Sequence, residues 1–233
     1  MIYVTSDLHG YPLQSFLSML DRAGFSDQDY LFVLGDVIDR GPDGIALLRW
    51  MAQQPNVELI LGNHEAMMLS CEFVFDSITE ENLSKLDADK YRMAQNWLYN
   101  GASPTLDSLG KLLRNEPDVL EGILDYLRDA PLYDTVTVGG RKIILVHGGL
   151  KNFHSDKPLE DYVPMELLWA RPTLADRYYS DALVIFGHTP TEFLGEEFRG
   201  KAVFTDTWIC IDTGAATGNK PMLLRLDDMQ VFY

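Results

Sequence analysis

Short apolar runs rich in β-branched and aromatic residues occupy positions 2–6, 30–34 and 57–61, and each closes on Gly, Asp or Asn within a few residues. Between them, positions 13–23 and 42–54 carry apolar residues at helical spacing. The order predicts a β-α-β-α-β unit, with parallel strands and right-handed crossovers. In an open sheet of that kind, ligands collect beyond the carboxyl ends of the strands. From about 66 to 132 the strand pattern disappears. Ser77-Ile78-Thr79-Glu80 reads as a capping box, and 88–98, 105–113 and 119–127 read as helices broken by Gly101, Pro104 and Pro117. Strand signals return at 135–138, 141–147, 182–186, 202–204, 208–212, 222–226 and 230–233, with turns at Gly139-Gly140 and Asp227-Asp228. Packed as a second sheet on the first, these strands make a β-sandwich with helices outside. The predicted class is α/β (α+β), one domain over 1–233 with a helical insertion at about 66–132.

Composition narrows the picture without fixing it. A chain of 233 residues, 46% hydrophobic, can bury a full core. It opens on a strand-like run with no charged leader and no long apolar stretch, so a cytoplasmic protein that neither spans nor binds a membrane is expected. Cys71 and Cys210 lie far apart, and Cys210 sits in an apolar run, which suits buried thiols better than a disulfide. A net charge of −16 leaves no basic stripe for a nucleic-acid backbone. Oligomeric state is left open.

The chemistry lies in short motifs. Four of the five histidines fall in Asp7-Leu8-His9-Gly10, Gly62-Asn63-His64-Glu65, Val146-His147-Gly148-Gly149 and Gly187-His188-Thr189-Pro190, alongside Gly35-Asp36-Val37-Ile38-Asp39-Arg40-Gly41. Carboxylate, imidazole and amide together suit borderline divalent ions, and one carboxylate can bridge two of them. Asp7 and His9, two apart on an extended segment, can reach one ion. Asp36 is placed to bridge, or else to cap the helix that follows. Taken singly, each motif is as easily a surface or core histidine; it is the ordered set that points to a dinuclear site. Two divalent ions bring roughly +4 against Asp7 and Asp36, leaving about +2 before arginines are counted, so the pocket attracts phosphate despite the acidic surface.

In these motifs the chain resembles the calcineurin-like metallophosphoesterases, and within them the phosphoprotein phosphatase branch, including bacterial and bacteriophage-lambda-type serine/threonine phosphatases. The similarity runs from Asp7 to about Thr217 and includes Asn96-Trp97-Leu98-Tyr99-Asn100-Gly101, Leu168-Trp169-Ala170-Arg171 and Ile211-Asp212-Thr213-Gly214-Ala215. The resemblance implies a metallophosphoesterase β-sandwich of two mixed sheets. It also implies that Asp7, His9 and Asp36 hold one metal, and that Asp36, Asn63, His147 and His188 hold the other. Mn²⁺ is the expected metal, with Fe or Zn as alternatives. A hydroxide bridging two such ions attacks phosphorus in line, with no covalent phosphoenzyme.

The same resemblance leaves His64 free of metal and able to protonate the leaving alkoxide, oriented by Asp39. Arg40 and Arg171 are candidates for gripping phosphoryl oxygens, with Asn63 also at the substrate. Arg171 could instead pair with Glu166 or Asp176. Asp212 is either a support for a ligating histidine or a turn residue before Gly214, and His154, outside any motif, reads as a solvated loop residue. The expected activity is phosphomonoester hydrolysis on a phosphoserine or phosphothreonine protein or peptide. An alternative is hydrolysis of dinucleoside polyphosphates such as diadenosine tetraphosphate. That group often carries Ala at the position of Asp39 and Asp at that of Glu65, which favours the phosphatase. A silent phosphate-binding module is the rival from another class, opposed by the complete ligand set.

Two decoys are set aside. Gly195 to Lys201 matches most of a phosphate-binding loop, but Ala202 stands where Ser or Thr is needed, and a hairpin turn is expected there instead. A cysteine phosphatase needs an arginine six positions after the nucleophile, where this chain has Ser77 and Ala216.

Overall fold

The computed structural model describes residues 1–75 and 79–233. Strand β1 (Ile2–Thr5) leads through α1 (Leu13–Arg22) to β2 (Tyr30–Val33), and α2 (Gly44–Met51) carries the chain to β3 (Val57–Leu59). Helices α3 (Asn63–Ser70), α4 (Glu80–Ser84), α5 (Ala88–Tyr99), α6 (Ser103–Asn115) and α7 (Pro117–Arg128) then follow with no strand among the described residues. Next come β4 (Tyr133–Val138), β5 (Arg141–Val146), α8 (Pro164–Leu168), β6 (Ala182–Phe186), β7 (Val203–Phe204), β8 (Trp208–Cys210), β9 (Leu223–Arg225) and β10 (Gln230–Phe232). Among the described residues no helix is long and apolar enough to cross a membrane.

The strands form two mixed five-stranded sheets, ordered β10-β9-β1-β2-β3 and β4-β5-β6-β8-β7. As the sequence predicts, β1, β2 and β3 are parallel. The last two strands depart from the expected second sheet: β9 pairs antiparallel with β1, and β10 with β9. Burial explains why. Val4, Phe32, Leu34 and Ile60 of the first sheet meet Ile143, Leu145, Leu183, Ile185 and Ile209 of the second, and Met222, Leu224 and Leu226 extend the first sheet's half of that core. Alternate residues face the other way, so Tyr3, Leu31 and Val33 pack under the helices while Ile144, Val146 and Val184 pack towards Leu167 and Tyr178. Each aliphatic side chain buried this way contributes roughly 1.5–3 kcal/mol.

Several local details follow from sequence. Gly139 and Gly140 sit at φ of 58° and 82° between β4 and β5, the left-handed pair that a tight two-residue hairpin requires. Helices α6 and α7 carry proline in their first turn, where no N–H is missed. The Asp43 carboxylate accepts the Leu13 N–H at 2.9 Å, tying the start of α1 to the loop before α2. Asp36 does not cap the helix that follows it, because α2 begins only at Gly44; its Oδ1 instead accepts the His64 N–H in the first turn of α3 at 3.0 Å. Helices α3 and α8 were not signalled by apolar spacing; both are short and owe their starts to a Glu in the first turn that bonds back to the preceding N–H. The Gly195–Lys201 stretch is a 3-10 turn at Glu196–Phe198 ahead of β7, not a hairpin. Of the expected capping box, Ser77 and Ile78 lie outside the described residues.

The loops after β1 and β2 touch backbone to backbone. A methyl group on Gly41 would lie 2.5 Å from the carbonyl oxygens of both His9 and Gly10. Gly41→Ala is therefore expected to cost about 1–3 kcal/mol of unfolding free energy, measured by urea denaturation. Gly122, inside α7 with open space around it, is the control: Gly122→Ala should stabilise by up to about 1 kcal/mol.

Candidate active site

Every motif from the sequence reaches the same rim. Asp7 and His9 follow β1; Asp36, Asp39 and Arg40 follow β2; Asn63 and His64 open α3 after β3; His147 follows β5, His188 follows β6 and Asp212 follows β8. Backbone bonds stitch the first two loops together, from the N–H groups of Asp7, His9 and Gly10 to the carbonyls of Gly35, Asp36 and Val37 at 3.0, 2.8 and 2.7 Å. Asp7, His9, Asp36, Asp39, Arg40 and His188 all take left-handed φ, between 43° and 70°. Such conformations cost non-glycine residues on the order of 1–3 kcal/mol each, so the surroundings must hold them.

The strongest restraint is Glu65, whose role was not legible in the sequence. Its carboxylate is fully buried and accepts the N–H groups of Asp36 and Val37 at 2.8 Å, Gly62 at 3.1 Å and Ile38 at 3.2 Å. It thus clamps the whole Asp36 turn onto the start of α3. A methyl on Gly62 would lie 2.3 Å from the Asp36 nitrogen and 2.4 Å from Glu65 Oε2, so only glycine admits the clamp. Burial and the Asp36 charge push Glu65 up to about 7, against the backbone donors that pull it down.

The clamped Asp36 belongs to two groups of possible metal ligands. Its carboxylate, one Nε2 or Nδ1 of His9 and one of His64 lie within 4.8 Å of one another, and so do atoms of Asp36, His147 and His188. Asp7 is buried nearby with Oδ2 accepting the His188 N–H at 2.9 Å, but it belongs to neither group.

The donor chemistry fits cations. His147 Nδ1 faces the Leu34 carbonyl at 2.7 Å and must donate to it, which leaves Nε2 a lone pair; yet Nε2 stands 2.8 Å from Asn63 Oδ1, another acceptor. Two acceptors face to face call for a positive ion between them. His9 Nδ1 likewise faces the Ile38 carbonyl at 3.1 Å, freeing its Nε2. The buried Nε2 of His188 has no hydrogen-bond partner among the described residues. Burial pushes His9 down to about 3, His188 down to about 2, and His147 below its ordinary value, so all three are neutral ligand-type imidazoles. The carboxylates show the same need. Burial, with Asp212 and Asp36 close by, raises Asp7 well above the usual range, and burial lifts Asp212 to about 7. Asp36 resists burial and stays low because His147, His64, His9 and His188 surround it.

His64 sits differently. Its Nδ1 is 2.6 Å from Asp39 Oδ2, and Nε2 is 3.2 Å from Arg40 Nη2. Burial pushes it down, but Asp36 and Asp39 outweigh that and hold it above its ordinary value. The fully buried Asp39 also accepts from Trp97 Nε1 at 2.9 Å and Thr105 Oγ1 at 2.7 Å, while Gly101 O takes the Arg40 N–H at 2.9 Å. The helical stretch α5–α6 therefore holds Asp39 and Arg40 in place. Trp97 and Gly101 lie within the Asn96–Gly101 motif, which was the only signal for this in the sequence.

Arg40, Arg171, Asn63, His9, His64 and His188 line a cavity of about 200 Å³ that opens over Asp36. Arg171 pairs with neither Glu166 nor Asp176; its Nη1 donates to His188 O at 3.2 Å and Thr189 Oγ1 at 3.4 Å. Asp212 lines the cavity too, but its Oδ1 accepts the Gly214 N–H at 2.9 Å and it bonds no histidine, so the turn reading prevails over the histidine support. His154 is exposed and remote, as expected. A larger cavity of about 740 Å³ beside β4, β5 and β6 contains none of the motif residues.

A family model described as calcineurin-like phosphoesterase matches residues 1–212, and the chain belongs to that family of metallophosphoesterases. A relative from Wigglesworthia glossinidia brevipalpis, named bis(5'-nucleosyl)-tetraphosphatase, symmetrical, is 31% identical over 150 residues, which is 64% of this chain and 44% of the relative. The protein of the same name from Glaesserella parasuis serovar 5 is 26% identical, with 99% of this chain and 96% of the relative covered. The match to the first of these thus spans less than half of the relative's length. A crystal structure assigned to a diadenosine tetraphosphatase superposes with a TM-score of 0.62 at 18% identity, covering 99% of this chain and 90% of that one, a likeness of fold.

Glu65→Gln turns an amide NH₂ towards backbone donors. It is expected to lower stability by about 1–3 kcal/mol in urea denaturation, and to weaken Mn²⁺ binding at least about tenfold in calorimetry. Unchanged Mn²⁺ affinity would show that the Asp36 turn keeps its geometry without the clamp.

Proposed function

We propose that this member of the metallophosphoesterases hydrolyses phosphate esters at a pair of divalent ions, Asp7, His9 and Asp36 holding one and Asp36, Asn63, His147 and His188 the other. The observation that carries the reading is the Asp36 carboxylate standing in both ligand groups. Bound there, two such ions, Mn²⁺ by preference, supply a hydroxide from water near neutral pH and neutralise phosphoryl oxygens. The strand-end motifs and the helical stretch at 66–132 act as parts of one domain.

The protein's own groups do the rest. Arg40 and Arg171 on the cavity wall grip phosphoryl oxygens as planar guanidiniums, with Asn63 beside them. Arg40 contacts His64 Nε2 in the free chain; once it turns to the phosphoryl group, His64 is free to carry a proton on Nε2. Asp39, held by Trp97 and Thr105, favours that cationic form and aims the ring. His64 then protonates the leaving oxygen. An acid is needed most when that oxygen is a poor leaving group, as in the alkoxide of phosphoserine or phosphothreonine. The Asp39–His64 pair thus supports a phosphomonoester substrate such as a phosphoprotein.

A second substrate class has at least as much support. The curated relatives bear the name of symmetrical dinucleoside tetraphosphatases, and the same ligand set, holding two cations, would serve hydrolysis of a phosphoanhydride as readily as of an ester. There the departing group is a nucleotide phosphate, which leaves without an acid.

The two readings separate by leaving group. Chelation is expected to abolish turnover of every substrate, with recovery on Mn²⁺. His64→Asn should cost about 10²–10⁴-fold on a phosphoserine peptide or phenyl phosphate and far less on p-nitrophenyl phosphate or diadenosine tetraphosphate. Steady-state rates on the four substrates check this. Equal losses on all four would refute the acid role, and a wild-type preference for the dinucleotide would select the tetraphosphatase reading.

A further inference from the structure

Trp169 and Arg171 belong to two cavities at once. Besides the cavity over Asp36, they line a second cavity, a groove of about 510 Å³ whose other walls include Lys151, Phe153, Asp176 and Arg177. The charge of this groove is out of keeping with the molecule. Lys151, Arg171 and Arg177 are exposed, and none makes an ion pair among the described residues. Arg177 Nη1 donates to the carbonyls of Leu174 and Asp176 at 2.8 and 2.7 Å, which holds the guanidinium in place and leaves its other N–H groups free. The one carboxylate in the groove, Asp176, is occupied: Oδ2 accepts from Thr173 N and Oγ1 at 2.6 and 2.7 Å. Three cations against one carboxylate leave the groove net positive on a chain of net charge −16, which draws anions to it.

We propose that this groove receives the phosphates beyond the scissile one, in a substrate whose phosphorus is attacked within a polyphosphate chain. The inference rests on the phosphohydrolase reading and narrows its substrate class. Arg171 is the argument for polyphosphate over an acidic peptide. It lines both cavities, so an anion in the groove and a phosphoryl group over Asp36 can share its guanidinium, which favours two anions joined closely. In a polyphosphate the next phosphate is joined through a single oxygen; in a phosphopeptide the nearest acidic side chain is many bonds away. Lys151 and Arg177 then meet the following phosphates, the guanidinium with paired donors and the ammonium as a point charge.

The test compares wild type with the double variant Lys151→Gln/Arg177→Gln, both loaded with Mn²⁺ at a fixed free concentration. Hydrolysis of p-nitrophenyl phosphate is inhibited with inorganic tripolyphosphate, with inorganic phosphate, and with a phosphoserine peptide flanked by glutamates. The proposal expects the tripolyphosphate inhibition constant to rise about tenfold or more, the loss of roughly 1.4 kcal/mol of binding. The phosphate constant and the turnover of p-nitrophenyl phosphate itself stay unchanged. An unchanged tripolyphosphate constant overturns it, as does an equal rise for phosphate, which would place the effect at the catalytic cavity. Weakening of the peptide alone overturns it in favour of an acidic peptide. If wild type hydrolyses no phosphate ester, the phosphohydrolase reading fails by itself, and calorimetry of tripolyphosphate with the same two Mn²⁺-loaded proteins still reads the groove.

Discussion

The Asp36 carboxylate is the point on which the structure turns. It is buried among His9, His64, His147 and His188, in a left-handed turn that no β-branched or bulky residue would adopt willingly. Its position is fixed from below by another buried carboxylate, Glu65, through N–H groups of the turn. Two anions so close in a dry site repel, and Asp7 and Asp212 add to the burden. The imidazoles of His9, His147 and His188 are pushed by burial towards their neutral forms and do not balance that charge. Positive charge from outside the chain is what this arrangement is built to accept.

The helical stretch between β3 and β4 serves the same centre rather than a separate body. α3 brings Asn63, His64 and Glu65 to the rim on consecutive positions, one with a ligand-type oxygen, one with an imidazole bonded to Asp39 and one as the clamp. Trp97 from α5 and Thr105 from α6 fix Asp39. The turn between α5 and α6 carries Gly101 at φ of 103°, where any side chain would press on Arg40 Cγ at 2.8 Å. Strand ends place Asp7, His9, Asp36, His147 and His188, and α3 adds Asn63 and His64 and fixes the Asp36 turn through Glu65.

Much of this was legible in the sequence. Motifs at strand ends are local: a strand-like run followed by Asp or His fixes where the side chain falls, and the parallel topology gathers those ends on one rim. The partners of Asp39 were not legible, because Trp97 and Thr105 lie 58 and 66 residues away and their roles depend on tertiary packing. Glu65 was visible only as a motif letter, since acceptance of backbone N–H groups leaves no mark on composition. The destination of β9 was hidden for a similar reason: Leu223 to Leu226 form a short, mostly apolar run that fits either sheet, and only the open edge of β1 decides which one they join. On substrate, the leaving-group chemistry of Asp39 and His64 and the names of the relatives point to different esters, and the cationic groove past Arg171 is the feature that favours polyphosphate.

The most direct measurement is anomalous diffraction from crystals grown in Mn²⁺. The account predicts two peaks flanking the Asp36 carboxylate, one in contact with His9 and the other with Asn63, His147 and His188. A single peak, or none between those side chains, would contradict it.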